Sequence, residues 1–352
     1  MNCESALAFS RFSRYIVTLF MSVPVLKTIA ITIGDVNGIG PEVALKALLQ
    51  TPWLRAFRVA LVGPETAVRF WQNYLRINLP LRRIADLAEW PEGTPIVVLD
   101  TAPEPADIQI GELSTTAGKI AGEALTRALA LARLGKVHAI VTAPVSKHAL
   151  HLAGFRYPGQ TELLAEGLET SEFAMMLVAE NFRVALVTTH LPLRNVAAAL
   201  STDLIVRRLR VLQKDLTTRF QIAQPRFGVT GLNPHAGEGG LLGDEEESFI
   251  TPALLQARAE GINAAGPFSA DALFGQYKKN NFDAYLAMYH DQGLIPLKMF
   301  GFGRAVNYTA GLPVIRTSPD HGTAFDIAGK NLADPASMVE ALRLAATLLA
   351  AN

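Results

Sequence analysis

Short β-branched runs that alternate with stretches of helical periodicity restrict this chain's fold more than any other feature. The runs are Ile29–Ile33, Val59–Val62, Ile96–Leu99, Ala139–Thr142, Val184–Thr188, Gly228–Gly231 and Ala284–Met288. Between two of them, Gly118–Leu134 places apolar side chains at 120, 121, 124, 125, 128, 129, 131 and 132, a broad helical face. Asp203–Thr218, Asp244–Glu260 and Pro335–Ala350 read as further helices, and Thr161 as a helix N-cap. Strands separated by helices must be joined by crossovers, so the sheet is largely parallel and the class is α/β. The chain has 352 residues, half of them hydrophobic, enough for two α/β lobes with a cleft between them. No repeat and no Pro/Gly-rich linker is visible, so the chain is expected to cross the lobe boundary more than once.

Composition excludes several functions. Lys and Arg number 32 and Asp and Glu 32, a formal net charge of zero, whereas a nucleic-acid partner demands a basic surface. The lone Cys3 rules out a disulfide framework and a Cys-rich metal site, which makes the cytoplasm the expected compartment. Residues 1–27 differ from the rest. They carry Arg11, Arg14 and Lys27 against Glu4, then an uncharged, mostly apolar run from Tyr15 to Leu26. That run is too short for a bilayer, which needs about 20 residues. Basic followed by apolar mimics a secretory signal, but Pro24 and Lys27 interrupt the run and no small-residue cleavage site stands out. Residues 1–27 therefore read as an N-terminal extension, poorly ordered over 1–20, with Met21 as an alternative start.

Three of the seven histidines end strand-like runs. His190 follows VALVTT, His235 lies in GLNPHAGEGG after FGVTG, and His290 lies in AYLAMYHDQG. Ligands of open α/β sheets bind beyond the carboxyl ends of the strands, so the fold can bring these imidazoles to one divalent metal. The alternative is that each merely satisfies a local backbone group. His138, His148 and His151 read as structural or surface residues. His321, in the glycine-flanked SPDHGTAFDIAG, reads as a ligand-loop residue.

Two further segments suggest an anionic ligand. Gly34–Glu42 follows the first strand and opens a helix, a turn that either offers N–H groups to phosphate or carboxylate or is simply a tight βα connection. It matches neither the dinucleotide fingerprint nor the P-loop. Lys298, Arg304, Asn307 and Arg316 either hold a phosphorylated or carboxylated substrate or are scattered surface groups.

The segments GDVNGIGPE (34–42), TTHLPLR (188–194), GLNPHAGEGG (231–240), AMYHDQG (287–293) and GFGRAVNYTAGLPVIRTSPDHGTA (301–324) together resemble the 4-hydroxythreonine-4-phosphate dehydrogenases of pyridoxal 5′-phosphate biosynthesis. The likeness runs from about Lys27 to the C-terminus. HGTAFDIAGKNLADP (321–335) is similar to the adenosine loop of isopropylmalate and isocitrate dehydrogenases, a wider group of two-lobed α/β/α enzymes. The resemblance implies a cofactor-side lobe of 28–150 with 305–352, and a metal, substrate and dimerisation lobe of 151–304. It also implies a homodimer with shared active sites. His190, His235 and His290 match the metal-binding histidines of the family, with His290 reaching the ion held by the partner's other two. The ion would be Zn, Mg or Co. Gln160, Thr161, Lys298, Asn307 and Arg316 match substrate-binding positions. His321, Gly322, Thr323, Ala324 and Asp326 match the loop for NAD or NADP.

This chain departs from the family at Gln160, which stands where a histidine is usual in Gly159-Gln160-Thr161-Glu162, and at Val36-Asn37, where Pro-Ala is common. Gln keeps a donor and an acceptor but does not titrate near neutrality. The implied reaction is metal-assisted oxidation and decarboxylation of 4-phosphohydroxy-L-threonine to 3-amino-2-oxopropyl phosphate. Asp271, Asp291 and Lys298 are the candidates for the proton acceptor, and Asp291 is equally suited to orienting His290. Two alternatives stay open: a paralogue acting on phosphorylated threonate or erythronate, and a catalytically silent metal- and nucleotide-binding protein.

Overall fold

The computed structural model describes residues 26–101, 107–157, 159–301 and 303–351. Of the expected N-terminal extension only Leu26 and Lys27 fall within that range; Cys3 and Met21 lie outside the described residues. The strands are β1 (Thr28–Thr32), β2 (Arg58–Val62), β3 (Arg82–Ile84), β4 (Ile96–Leu99), β5 (Ala139–Thr142), β6 (Ala174–Ala179), β7 (Phe182–Leu186), β8 (Arg226–Thr230), β9 (Asn263–Phe268), β10 (Ala284–Ala287), β11 (Val306–Ala310) and β12 (Ile315–Pro319). The helices are α1 (Gly40–Gln50), α2 (Glu65–Leu75), α3 (Thr115–Arg133), α4 (Lys147–Leu152), α5 (Gln160–Gly167), α6 (Val196–Ala199), α7 (Thr202–Thr218), α8 (Thr251–Ala259), α9 (Ala270–Gly275), α10 (His290–Gly301) and α11 (Ala336–Ala351). No helix among the described residues is long and apolar enough to cross a membrane.

The chain forms two compact units. One holds the described residues through Leu168 and those from Val314 onward; the other is Glu169–Pro313. The boundaries expected at 150/151 and 304/305 are thus displaced. Helices α4 and α5 pack on α3 of the first unit, and β11 pairs antiparallel with β6 of the second.

In the first unit the strand order is β3-β4-β2-β1-β5-β12, with every neighbouring pair parallel. All five residues of β1 and all four of β5 are buried, the continuous apolar pattern of strands covered on both faces. The chain moves outward from β1 through α1 and α2, then returns across β1 to β5 through α3. Crossovers are right-handed, so that reversal puts α3 on the opposite face from α1 and α2. Helix α11 packs with α1, and α4 and α5 pack with α3, which completes two helical layers. The reversal makes the carboxyl ends of β1 and β5 the topological switch point, where such sheets bind ligands.

In the second unit the order is β11-β6-β7-β10-β8-β9. β6 is antiparallel to both its neighbours: to β11, and to β7 through a hairpin over Glu180-Asn181 with Glu180 at φ +54°. From β7 to β9 the strands are parallel. Leu186, Tyr285, Leu294 and Leu297 build the core beneath α10. Gly293 lets that helix approach, since a Cβ there would stand 2.8 Å from Leu186 and Val184.

The helix expected over Asp244–Glu260 is present from Glu245 to Ala259, with a π-turn over Glu246–Ile250 just before Pro252, which cannot donate a helical hydrogen bond. One local expectation is corrected. Thr161 is not an N-cap, because α5 begins one residue earlier, is capped by Gly159 without a side-chain bond, and Thr161 accepts from Arg316 instead.

Candidate active site

The strands β7, β10 and β8 are parallel neighbours, and His190, His290 and His235 follow them in that order. The fold therefore brings all three to one edge of one sheet. The His190 and His290 ring centres are 5.8 Å apart. A hydrogen-bonded bracket joins the strand ends. Thr188 donates its N–H and its hydroxyl to the Met288 carbonyl, at 3.2 and 2.7 Å. Gln292 accepts from the Met288 N–H at 2.7 Å and from the Thr230 hydroxyl at 2.8 Å, and donates to the Gly231 carbonyl at 2.7 Å.

His235 lies in a turn, Pro234–Gly240, of unusual backbone. His235, Ala236, Gly237, Glu238 and Gly239 all have φ between +46° and +81°. The left-handed region costs a non-glycine residue about 1–2 kcal/mol, so the surroundings must hold this turn. The carboxylate of Glu246, only 3% exposed, faces it.

The proton-acceptor candidates divide. His290 Nδ1 and Asp291 Oδ1 are 2.7 Å apart. An imidazole donating Nδ1–H there keeps Nε2 as a lone pair, so Asp291 suits the orienting role. Asp271 accepts from the Ser269 hydroxyl and the Ala272 N–H, which hold its carboxyl below the usual range; His235 acts in the same direction. Lys298 is exposed in the last turn of α10, roughly 12 Å along the helix axis from His290. Among the described residues, no three His, Cys, Asp or Glu side chains gather closely enough to hold a metal ion between them.

In the first unit Arg316, on β12, is fully buried and donates to Thr161 Oγ1 at 3.1 Å and Thr142 Oγ1 at 2.9 Å. Burial lowers its pKa to about 10, opposed by Glu162, so the guanidinium stays charged at neutrality. Thr142 ends β5, one of the two strands of the switch point. The amide oxygen of Gln160 is buried without a hydrogen bond. Asn307, on β11 of the second unit, has an orphaned buried amide oxygen of the same kind.

The cofactor-loop residues also belong to the first unit. His321, Gly322 and Asp326 are exposed and Thr323 and Ala324 half-buried, with Ala324 at φ +40°. Ile39 N–H anchors the base of the loop on the Thr323 carbonyl at 3.0 Å. The turn Gly34–Pro41 is wholly buried, and the N–H groups of Asp35, Asn37, Gly38 and Ile39 all bond within the protein. It supports the loop and is not an anion cradle. Asn37 accepts from Gln109 N–H and donates to the Glu112 carbonyl and Ser114 Oγ. Sequence reasoning did not single out Thr142, Glu246 or Gln292, although Gln292 lies within AMYHDQG; each is recognised only by what it bonds to.

Polar side chains collected at the carboxyl ends of parallel strands mark an α/β enzyme. Comparison with known proteins narrows the class. The family model for the pyridoxal phosphate biosynthetic protein PdxA matches residues 57–345, and the chain belongs to that family. It is 43% identical over 321 residues to a 4-hydroxythreonine-4-phosphate dehydrogenase of Beijerinckia indica, covering 91% of this chain and 94% of the relative. It is 45% identical over 326 residues to a D-threonate 4-phosphate dehydrogenase of Cupriavidus necator, covering 92% and 97%. A solved 4-hydroxythreonine-4-phosphate dehydrogenase from Klebsiella pneumoniae superposes with a TM-score of 0.81 at 43% identity, covering 93% of this chain and 99% of that one. Family and relatives make this chain a dehydrogenase, and a dehydrogenase of this family implies a nicotinamide cofactor.

Proposed function

We propose that the chain oxidises and decarboxylates 4-phosphohydroxy-L-threonine to 3-amino-2-oxopropyl phosphate, with NAD or NADP and one divalent ion. The observation that carries this reading is the set of three histidines at adjacent parallel strand ends, one of them paired with a carboxylate. This donor set fits Zn, Co or Mg, with imidazole favouring the first two. The ligand set is completed across a homodimer, His190 and His235 coming from one chain and His290 from its partner. Bound there, the ion supplies Lewis acidity and the nicotinamide accepts hydride.

The chain's own residues do the rest. Arg316, its charge preserved in burial and its direction fixed by Thr142 and Thr161, is suited to the anionic end of the substrate; in the second unit the exposed Lys298 is a cation of the same kind. The buried amide oxygen of Gln160, without a hydrogen bond, is suited to accept from a substrate hydroxyl or ammonium; Asn307 in the second unit carries an oxygen of the same kind. The tip of the loop holding His321, Gly322, Thr323, Ala324 and Asp326 is open and fits the adenosine side of the cofactor. Asp271 and Lys298 are the candidates for the proton acceptor at the C3 hydroxyl, since Asp291 is engaged by His290.

Gln160 favours a second reading, phosphorylated threonate or erythronate. A non-titrating amide replaces the family's histidine, and relatives named D-threonate 4-phosphate dehydrogenase reach the same identity. Steady-state rates of nicotinamide reduction, with and without added metal, separate the two. We expect kcat/KM for 4-phosphohydroxy-L-threonine to exceed that for 4-phospho-D-threonate and to vanish on exhaustive chelation. The reverse preference establishes the second reading, and full activity after chelation overturns the metal role.

A further inference from the structure

The left-handed turn that carries His235 is held by a group that is not itself a candidate ligand. Glu246 opens the π-turn before α8 and is nearly inaccessible to solvent. Its Oε1 accepts the N–H of Leu232 at 2.7 Å and that of Asn233 at 2.8 Å. Its Oε2 accepts from Asn233 Nδ2 at 3.0 Å, and the same amide nitrogen also donates to Glu245 Oε2 at 2.7 Å. All these bonds end on the two residues that lead into Pro234 and His235. The turn then closes back over the carboxylate: a Cβ on Gly237 would lie 2.6 Å from Oε2, and one on Gly231 would lie 2.8 Å from Oε1. One buried carboxylate thus fixes both the approach to the turn and its far side.

We propose that Glu246 is a positioning residue for the metal site, setting the backbone from which His235 is presented. This rests on the reading of His235 as a metal ligand. Leu232 and Asn233, which lead from β8 into the left-handed run, have no strand or helix partner for their N–H groups, so an internal acceptor must take that place. Without it the turn relaxes and the imidazole loses its place, while the sheet beneath, held by its own ladder, persists. Groups that orient a ligand in this way are worth roughly 10–100-fold in metal affinity.

The test titrates the full-length protein with Co2+ and follows the visible ligand-field bands, after a cooperative thermal melt has verified each variant's fold. Wild type should bind Co2+, and His235→Ala should lose most of that binding. Glu246→Ala should bind roughly 10–100-fold more weakly with altered bands. Glu246→Gln, whose amide oxygen still accepts from Leu232 and Asn233, should recover most of the affinity. Should Glu246→Ala not fold, Glu246→Met replaces it, filling the space without an acceptor. Absence of Co2+ binding by wild type, or unchanged binding by His235→Ala, defeats the metal reading itself. If those two behave as expected while the apolar Glu246 variant matches wild type in affinity and bands, or matches Glu246→Gln, the positioning role alone is overturned.

Discussion

A buried carboxyl makes the stability of this fold depend on pH. Asp35, just past β1, is fully buried, and burial raises its pKa from 3.8 to about 6 against the pull of the Asn37, Gly38 and Ser146 N–H groups. Because the folded-state value lies above the unfolded one, the folded protein binds the proton more tightly. Stability from this group is therefore full in acid and is lost as pH rises through about 4 to 6, by about 3 kcal/mol. Asp35→Asn should remove that dependence, so urea unfolding should show the variant gaining on wild type across this window. A pH-independent difference between the two would contradict it. Other single residues were legible to different degrees. That His190, His235 and His290 follow strand ends was legible, because each comes after a strand signal in the sequence. Arg316 was found as a cation but not as a buried one, since burial depends on Thr142 and Thr161, which come from other parts of the chain.

At the scale of elements, the buried turn before α1 shows how a loop becomes rigid. Asn37 joins it to Gln109, Glu112 and Ser114 with side-chain bonds of 2.9 to 3.1 Å. Asn37→Ala strands the Gln109 N–H and the Glu112 carbonyl, which should cost about 2–3 kcal/mol in denaturant unfolding. Amide exchange at Gln109 and Gly111 should accelerate with it; unchanged exchange would show that the tether is not needed. Elements with one strong period were readable in advance: Gly118–Leu134 was expected as a helix and α3 spans Thr115–Arg133. The strands β3, β6, β9, β11 and β12 were not foreseen. Arg82-Arg83 and the polar residues of VNYTA and IRTSP do not look like strand interiors. Pairing with neighbours overrode their weak local preference, which is the usual weakness of strand propensity.

At the scale of the molecule, the proposed sharing of sites between two chains makes a prediction that no single-chain variant can test. His235→Ala and His290→Ala should each be inactive alone. Unfolded together and refolded as a mixture, they should recover about a quarter of wild-type activity, because half the dimers are mixed and each has one intact site. A mixture no more active than its parts would place all three ligands in one chain. The sequence by itself determined the α/β class and the family likeness, because strand and helix periods and motif chemistry are local properties. Tertiary structure alone decided that the unit boundaries lie at Leu168 and Pro313 and that Gly34–Pro41 is a buried support. It alone showed that Glu246 and Gln292 bind the ends of the histidine-bearing strands. Those outcomes depend on hydrogen bonds between residues far apart in the chain, and a buried donor or acceptor finds its partner only once the fold has brought the two together.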